Sequence, residues 1–385
     1  MRPLNKRNEK LKSSMIREMT ILSNQYDAIN LAQGFPEFAP PSSLTDRLKE
    51  LADQPVHQYT PNWGIDSLRE EVAKKEGKKQ KRSIDPYNEV IITLGSTEAM
   101  ISSMMALLER GDKVGIFSPY YNSYEANTII TETEAVFIEL DPSDFSLDAE
   151  RLEQALKSGV KVLILCNPNN PCGKVFTLEE LKQIAGLVEK YDAYVITDEV
   201  YEHIVFEPFC HLGFAGLPGM FERTITCSSF SKTYSITGWR LGYVCGPLRL
   251  IQEVRKYHDF FTVCAPGPLQ EAALTALRYN DDYYEELRKL YTQKKEAFVQ
   301  GLDRAGIRHN DPQGTYFVLA DISEFGYDSD FAFAKYLVKE YGVAGVPGSC
   351  FFENPNSGYI RFHFAKEDDT MREVIERLTR LKQSR

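Results

Sequence analysis

One lysine and one arginine stand out in the segment SSFSKTYSITGWR, which runs from Ser228 to Arg240. Lys232 lies near the end of a predicted strand, among residues with small hydroxyl side chains. A lysine held near a neutral pKa can form a Schiff base with an aldehyde, and Arg240 could clamp a phosphate. Taken alone, the segment is better explained by two surface cations.

Three further groups follow predicted strands, where sites form in open α/β sheets. Gly95 permits a tight turn before Ser96 and Thr97, whose amides at a helix N-terminus suit a phosphate, although a plain helix cap also explains them. The prolines of NPNNPCG fix the backbone around Asn170, as a purely structural turn would also do. Asp198 ends a buried strand, so it either caps the next helix or faces a protonated ring nitrogen.

Together, these four groups match the needs of one kind of ligand. An aldehyde cofactor with a phosphate and a ring nitrogen requires a lysine, an anion cradle and an acidic partner for the nitrogen. The sequence places all three at the ends of predicted strands. No single group decides the chemistry, but their combination favours such a cofactor.

The elements that must position these groups alternate along the middle of the chain. A helix is predicted over 96–112, and Thr177 and Glu180 stand at the spacing of a helix capping box. Strands joined by helices favour a mostly parallel sheet with helices on both faces. The first predicted strands cover residues 89–95, 113–119, 134–140, 160–168 and 193–199.

The pattern changes after about residue 285. A long polar helix leads to the predicted strand GTYFVLADI, a helix near 330–341, the strand GYIRFHFA and a closing helix. This order is typical of a smaller α+β domain. We therefore predict an N-terminal segment (1–45) packed with a small C-terminal domain (286–385), and a large domain (46–285) between them.

Composition argues against several classes of function. The 385 residues carry a net charge of -10, which disfavours nucleic acid as a partner. No stretch reaches ~18 apolar residues, so no membrane span is expected, and the basic start lacks the apolar run of a secretory signal. The seven scattered cysteines favour reduced thiols in the cytoplasm over a disulfide framework, and the six histidines show no metal-binding spacing.

The ordered motifs resemble the class I/II aminotransferases of fold type I, which use pyridoxal 5'-phosphate (PLP). The resemblance implies a large domain with a mostly parallel seven-stranded sheet flanked by helices, plus a smaller α+β domain. The branch it resembles most holds the kynurenine, glutamine and methionine aminotransferases. The motifs are LAQGFPEF (31–38), QYTPNWG (58–64), LGSTEA (94–99), SPYYNSY (118–124), NPNNPCG (167–173), TDEVY (197–201), SFSKTYSITGWRLGY (229–243) and YIRFHFA (359–365).

The resemblance implies roles for five residues around the cofactor ring. Lys232 would bond to the cofactor aldehyde and later carry the proton. Asp198 would pair with the ring nitrogen and keep it protonated. Tyr201 and Asn170 would hydrogen-bond the phenolate oxygen of the ring, and Tyr121 would stack on its face.

The resemblance also implies a phosphate site that two subunits share. The backbone amides of Ser96 and Thr97 would hold the phosphate together with Ser229 and Arg240. Tyr59 would reach the phosphate bound by a second copy of the chain, which implies a homodimer with shared active sites.

Arg361 would bind the α-carboxylate of the substrate, helped by Asn170 and the backbone of Gly34. The alternation in GYIRFHFA puts Tyr359, Arg361 and His363 on one face of a strand. A solvated strand arginine would give the same pattern, so this role depends on the resemblance.

The predicted activity is transamination by a ping-pong mechanism, from an amino acid with an apolar, aromatic or thioether side chain to a 2-oxo acid. No further arginine can be placed for a distal carboxylate, and five residues suggest an aromatic-lined pocket: Phe35, Phe38, Tyr59, Trp63 and Tyr121. Trp63 and Cys172 depart from the usual family pattern. Trp63 either shapes the pocket or packs in an interface, and Cys172 changes little because Asn170 does the chemistry.

Two alternatives to transamination remain from the sequence. A PLP-dependent carbon–sulfur β-lyase would use the same Lys232 and Asp198. A cofactor-binding regulatory module would need a basic helix-turn-helix extension, for which the residues before about Ile29 are too few.

Overall fold

A computed structural model describes residues 2–11, 13–354 and 357–383 of the chain. Within these ranges the strands are β1 (Ile29–Asn30), β2 (Val90–Thr93), β3 (Lys113–Ser118), β4 (Glu134–Glu139), β5 (Val160–Cys166), β6 (Tyr194–Asp198), β7 (Thr224–Ser229), β8 (Gly242–Cys245), β9 (Phe317–Asp321), β10 (Val343–Ala344), β11 (Val346–Pro347) and β12 (Tyr359–His363).

Helices connect and cover these strands. They are α1 (Met15–Gln25), α2 (Ser42–Leu51), α3 (Asp66–Gln80), α4 (Gly95–Leu107), α5 (Ser123–Thr131), α6 (Ala149–Lys157), α7 (Leu178–Lys190), α8 (Leu248–Phe261), α9 (Gly267–Leu277), α10 (Asp281–Ala305), α11 (Asp330–Tyr336) and α12 (Asp368–Gln383). No helix within the described ranges is both long enough and apolar enough to cross a membrane.

The large sheet confirms the predicted mostly parallel, seven-stranded architecture. Its strand order is β2-β8-β7-β6-β5-β3-β4, and only β8 runs antiparallel to its neighbours. Along β5, Leu163 and Leu165 pack against α6 and α7, whereas Ile164 packs against α4 and α8. Burying each such side chain stabilises the fold by about 1.5–3 kcal/mol, and burial of both faces explains the continuous apolar run VLIL.

Local sequence signals account for most element boundaries. The predicted capping box is confirmed, because Thr177 Oγ1 accepts from Glu180 N at 3.2 Å and Glu180 Oε2 accepts from Thr177 N at 2.7 Å. The helix predicted over 96–112 is too long, since α4 ends at Leu107 and Leu108 already has extended backbone angles. The helix predicted near 330–341 is α11 followed by a π turn.

A second, antiparallel sheet with strand order β11-β12-β9 contains Arg361. Helices α10 and α12 pack beside it, and residues near the chain start join the same apolar cluster, including Met19 and Leu31. The strand β1 pairs in parallel with β10. The domain boundaries at residues 45 and 285 stay predictions, and α10 runs without a break through residue 285.

Candidate active site

A cavity of about 460 Å³ opens where the carboxyl ends of β5, β6 and β7 meet the start of α4. Parallel neighbours end together here, since Asp198 pairs with Cys166 on β5 and with Cys227 on β7. The fold therefore brings together residues that are far apart in sequence. Eleven of the predicted site residues line the cavity: Gly34, Ser96, Thr97, Tyr121, Asn170, Asp198, Tyr201, Ser229, Lys232, Arg240 and Arg361.

Lys232 presents its amine inside this cavity. Its Nζ donates a hydrogen bond to the Gly34 carbonyl at 2.9 Å. Burial, and then the nearby cations Arg361 and Arg240, lower the pKa of Lys232 to about 8, against an opposing effect of Asp198. The neutral fraction of this amine near physiological pH is therefore far larger than that of an ordinary lysine, as a nucleophile or base requires.

Asp198 is a buried carboxyl group, and its hydrogen-bond donors among the described residues are neutral. Tyr124 Oη donates to its Oδ2 at 2.7 Å, and the Val200 amide lies 3.4 Å from its Oδ1. Burial raises the pKa of Asp198 to about 6, and these two hydrogen bonds oppose the shift. A positively charged ring nitrogen would compensate this carboxylate, so the site fits the group that the sequence predicts.

Tyr124 is a site residue that the sequence analysis missed. It lies three residues after Tyr121, with their ring centroids 5.8 Å apart, and it is fully buried. The spacing within SPYYNSY was the available signal. The hydrogen bond to a residue 74 positions later could not be read from that motif.

Replacing Asp198 with asparagine is expected to stabilise the cofactor-free protein at alkaline pH. Its carboxyl has a pKa of about 6 when folded against an ordinary 3.8, so folding disfavours the ionised form. Above pH 6 the full penalty of about 3 kcal/mol applies, and below pH 4 less than about 1 kcal/mol remains. We therefore expect D198N to raise the free energy of unfolding at pH 8 by about 2–3 kcal/mol.

Urea denaturation at pH 8 and pH 4 measures this difference. Asp192 provides the matched control, because its side chain is 95% exposed beside Arg223 and D192N should change stability little. A D198N protein no more stable than wild type at pH 8 would contradict the raised pKa.

Arg361 is buried in the wall of the cavity, with 1% of its surface exposed. Its Nη1 donates to Asn170 Oδ1 and its Nη2 to the Ala32 carbonyl, both at 2.8 Å, and the guanidinium lies 4.1 Å from the Phe317 ring centre. Its Nε has no hydrogen-bond partner among the described residues. These contacts exclude a solvated strand arginine and leave a buried donor for an anionic ligand.

The start of α4 forms a cradle that fits a phosphate. Gly95 has φ +73°, and a Cβ there would lie 2.6 Å from Arg240 Nη2. Arg240 itself has left-handed backbone angles, and its guanidinium contacts the carbonyls of Thr237 and Leu94. The glycine therefore lets an arginine and the N-terminal turn of a helix face the same space, which is an arrangement suited to an anion.

The predicted aromatic lining is only partly correct. Phe35 and Tyr121 line the cavity, and Tyr124, Tyr201 and Phe317 add further rings. Phe38 does not, because its ring packs against Tyr291 at a centroid distance of 5.8 Å.

Tyr59 and Trp63 also lie outside the cavity that the described residues form. Tyr59 is 84% exposed. Trp63 Nε1 donates to Asp259 Oδ1 at 3.1 Å, and the Arg255 guanidinium covers the indole ring at 3.7 Å. Within one chain, Trp63 therefore packs on α8 and does not shape the cavity.

A buried ionic network supports residues 198–202. Within the described ranges, one group of three side chains could hold a metal ion: Glu199, Glu202 and His211. The Lys79 Nζ lies 2.7 Å from Glu199 Oε2 and 3.0 Å from Glu202 Oε2, so an ammonium group already compensates both carboxylates. Ion pairing to α3 explains this cluster and anchors the segment that carries Asp198.

Comparison with known proteins shows that the chain is similar to a larger group of proteins. Residues 26–378 match the family model for aminotransferase class I and II. The chain is 34% identical to a methionine aminotransferase of Escherichia coli, over 96% of each chain. It is 32% identical to human kynurenine--oxoglutarate transaminase 1, over 95% of each chain. The solved N-succinyldiaminopimelate aminotransferase of Mycobacterium tuberculosis superimposes with a TM-score of 0.95 and 35% identity, over 98% of this chain and 100% of that one.

Proposed function

The chain belongs to the class I and II aminotransferases and is a transaminase, and from that premise we propose that it works with PLP in the cavity described above. One observation carries the proposal. The cavity joins an amine with a pKa of about 8, on Lys232, to a buried carboxyl with a pKa of about 6, on Asp198. Such displaced values in one cleft are typical of catalytic groups.

The residues of the cavity fit each part of the cofactor. The first turn of α4 with Ser229 and Arg240 would hold the phosphate, and Asp198 would face the ring nitrogen. Tyr121 would cover the ring, while Tyr201 and Asn170 would donate to its phenolate oxygen. The bound cofactor would supply an aldehyde that carries the amino group and a ring that withdraws electrons.

The side chains of the protein then perform the proton transfer and the orientation. Lys232, as a neutral amine, takes the proton from Cα of the amino acid and holds it for return. Asp198 would pair with the ring nitrogen and favour its protonated form, and Tyr124 holds the carboxylate in place. Arg361 binds the α-carboxylate through a charge-assisted hydrogen bond and so fixes the Cα proton near the amine.

We further propose substrates with apolar, aromatic or thioether side chains. Three cations line the cavity among the described residues, and the roles above engage all of them: Lys232, Arg240 and Arg361. The remaining wall includes Ile16, Phe35 and Phe317. A distal carboxylate would therefore lack a cationic partner in the cavity. The relatives named for methionine and kynurenine agree with this choice.

A homodimer with shared sites is part of the proposal. Tyr59 is 84% exposed and Phe260 is 90% exposed. Asp259, which precedes Phe260, accepts hydrogen bonds from Asn62 and Trp63, which follow Tyr59 closely in the chain. A second copy of the chain that covered this apolar patch would receive Tyr59 at its phosphate site. Buried free thiols at Cys166, Cys172, Cys227 and Cys245 support a cytoplasmic location. The separation of the seven-stranded sheet from the three-stranded sheet and the β1–β10 pair supports the division of the chain near residues 45 and 285.

A panel of amino donors, each with several 2-oxo acid acceptors, tests the substrate class. We expect methionine, phenylalanine or kynurenine to exceed aspartate by roughly 100-fold in kcat/KM, because burying an unpaired carboxylate costs several kcal/mol. Preference for aspartate or N-succinyldiaminopimelate would contradict the proposed class. Release of pyruvate and a thiol from a cysteine conjugate, with no acceptor and faster than transamination, would favour the lyase alternative.

A further inference from the structure

His258 is a fully buried residue of α8 that uses both ring nitrogens. Its Nε2 lies 2.8 Å from the Asn62 carbonyl, and its Nδ1 lies 3.2 Å from Glu98 Oε1. Both partners are oxygen acceptors, whereas a neutral imidazole has a single N–H. Only the protonated ring donates to both groups at once. The Thr262 hydroxyl also lies 3.2 Å from Nδ1, but a neutral ring that accepted from it would turn the Nδ1 lone pair towards Glu98 Oε1 as well. We therefore take His258 as a cation that bridges Asn62 and Glu98.

Glu98 connects His258 to the phosphate cradle. It belongs to the first turn of α4, and its Oε2 accepts a hydrogen bond from the Leu94 amide at 3.1 Å. Leu94 directly precedes Gly95, whose turn would receive the phosphate. Loss of the charged partner of Glu98 would therefore change the turn that presents the helix amides.

Asn62 connects His258 to the segment of residues 59–63. The same end of α8 holds this segment in two further places, because Trp63 Nε1 donates to Asp259 and the Arg255 guanidinium covers the indole. The Trp63 carbonyl also accepts from the Ile92 amide at 3.0 Å. The exposed Tyr59 thus stands on a segment that is fixed at its other end.

We propose that His258 is a positioning residue that couples the phosphate turn of one subunit to its Tyr59 segment, and so to the phosphate site of the partner subunit. The proposal rests on the proposed function, in which Tyr59 completes the site of a second copy. Phosphate binding in one site then favours the correct placement of Tyr59 in the other, and the reverse follows by linkage.

The charge on His258 gives this coupling a pH dependence. Burial disfavours the charged ring, but the bonds to Glu98 and the Asn62 carbonyl, with the charge of Asp259, outweigh burial and raise the pKa of His258. Glu98 faces it from α4, Asp259 acts on it from α8, and the 59–63 segment contributes a backbone carbonyl. The stabilisation is complete below the ordinary value of 6.5 and is lost as pH rises through the raised pKa.

A double-mutant cycle between His258→Gln and Tyr59→Phe tests the coupling. Glutamine can donate to Asn62 or to Glu98 but cannot donate to both as a cation. We expect H258Q to raise the dissociation constant of PLP about tenfold, as removal of one charge-assisted hydrogen bond would. In the Y59F background the same change should have less than about a twofold effect, since coupled residues are not additive. Equilibrium titration of PLP absorbance measures each constant.

Two controls separate positioning from general destabilisation. Ile251→Val removes a buried methyl group from the same helix without touching the bridge, and it should leave PLP binding unchanged. E98Q breaks the bridge from its other end and should reproduce the result if H258Q does not fold. The loss of PLP affinity from pH 7 to pH 9 should also be smaller in H258Q than in wild type.

The possible failures are distinguishable. Unchanged PLP affinity in Y59F overturns the shared site and the coupling with it. If Y59F weakens PLP binding but H258Q still raises the dissociation constant about tenfold in the Y59F background, the coupling alone is overturned. An I251V protein that loses as much affinity as H258Q shows a purely structural role and overturns the coupling as well.

Discussion

Replacing Lys232 with alanine is expected to lower kcat for transamination by about 10,000-fold, the upper range for loss of a positioned general base. The same change should remove the visible absorbance of a covalent bond between the lysine and the cofactor aldehyde. The physical reason is that Lys232 is the only amine lining the cavity within the described residues. Steady-state kinetics and absorbance spectra of the purified protein measure both effects.

Lys232→Arg is the matched control for charge. Arginine keeps a cation in the cavity but stays protonated, so it can neither bond to the aldehyde nor accept the α-proton. The K232R protein should therefore be as inactive as K232A. Substantial activity in K232R would show that Lys232 contributes charge alone. Full turnover by K232A would reject the proposed mechanism.

Replacing Arg361 with alanine is expected to lower kcat/KM for amino acids by about 1,000-fold. The substitution removes charge-assisted hydrogen bonds and leaves the substrate carboxylate unpaired in a buried site, a combined loss of about 4 kcal/mol. Most of the loss should appear in KM, because the interaction holds the substrate before and during proton transfer. Lysine at this position should recover little, since it lacks the planar fork that contacts Asn170 and Ala32.

An amine that lacks the α-carboxylate provides the control for Arg361. With the wild-type protein this amine should react far more slowly than the parent amino acid. With R361A the two should react at similar rates, because the group that distinguishes them is gone. A wild-type preference that survived in R361A would place the carboxylate site elsewhere in the cavity.

The sequence predicts the large sheet and the cavity lining well, for a physical reason. Parallel strands end at one edge, so polar residues that follow buried apolar runs converge there, as Asp198, Asn170 and Ser229 do. The identity of the residues then limits the chemistry. The roles of Lys232 and Arg240 can be assigned only from those neighbouring residues.

Contacts that depend on side-chain direction or on long-range pairing could not be predicted in the same way. Alternation in GYIRFHFA does not show which face of β12 is covered, so Arg361 could be read as a solvated residue. In the structure the strand is buried almost throughout. Phe38 and Trp63 were expected in the pocket because aromatic residues suit it, but their rings turn to Tyr291 and Arg255. The bond between His258 and Glu98 joins residues 160 positions apart, and no local pattern records it.

The pairing of β1 with β10 also sets an order for folding during synthesis. Ile29 and Asn30 leave the ribosome roughly 300 residues before Val343 and Ala344, a delay of roughly 15–60 s at common rates of translation. The seven strands of the large sheet are complete well before that time. The backbone partners of β1 are therefore made late, and we expect β1 to stay unpaired until translation of the chain is nearly complete.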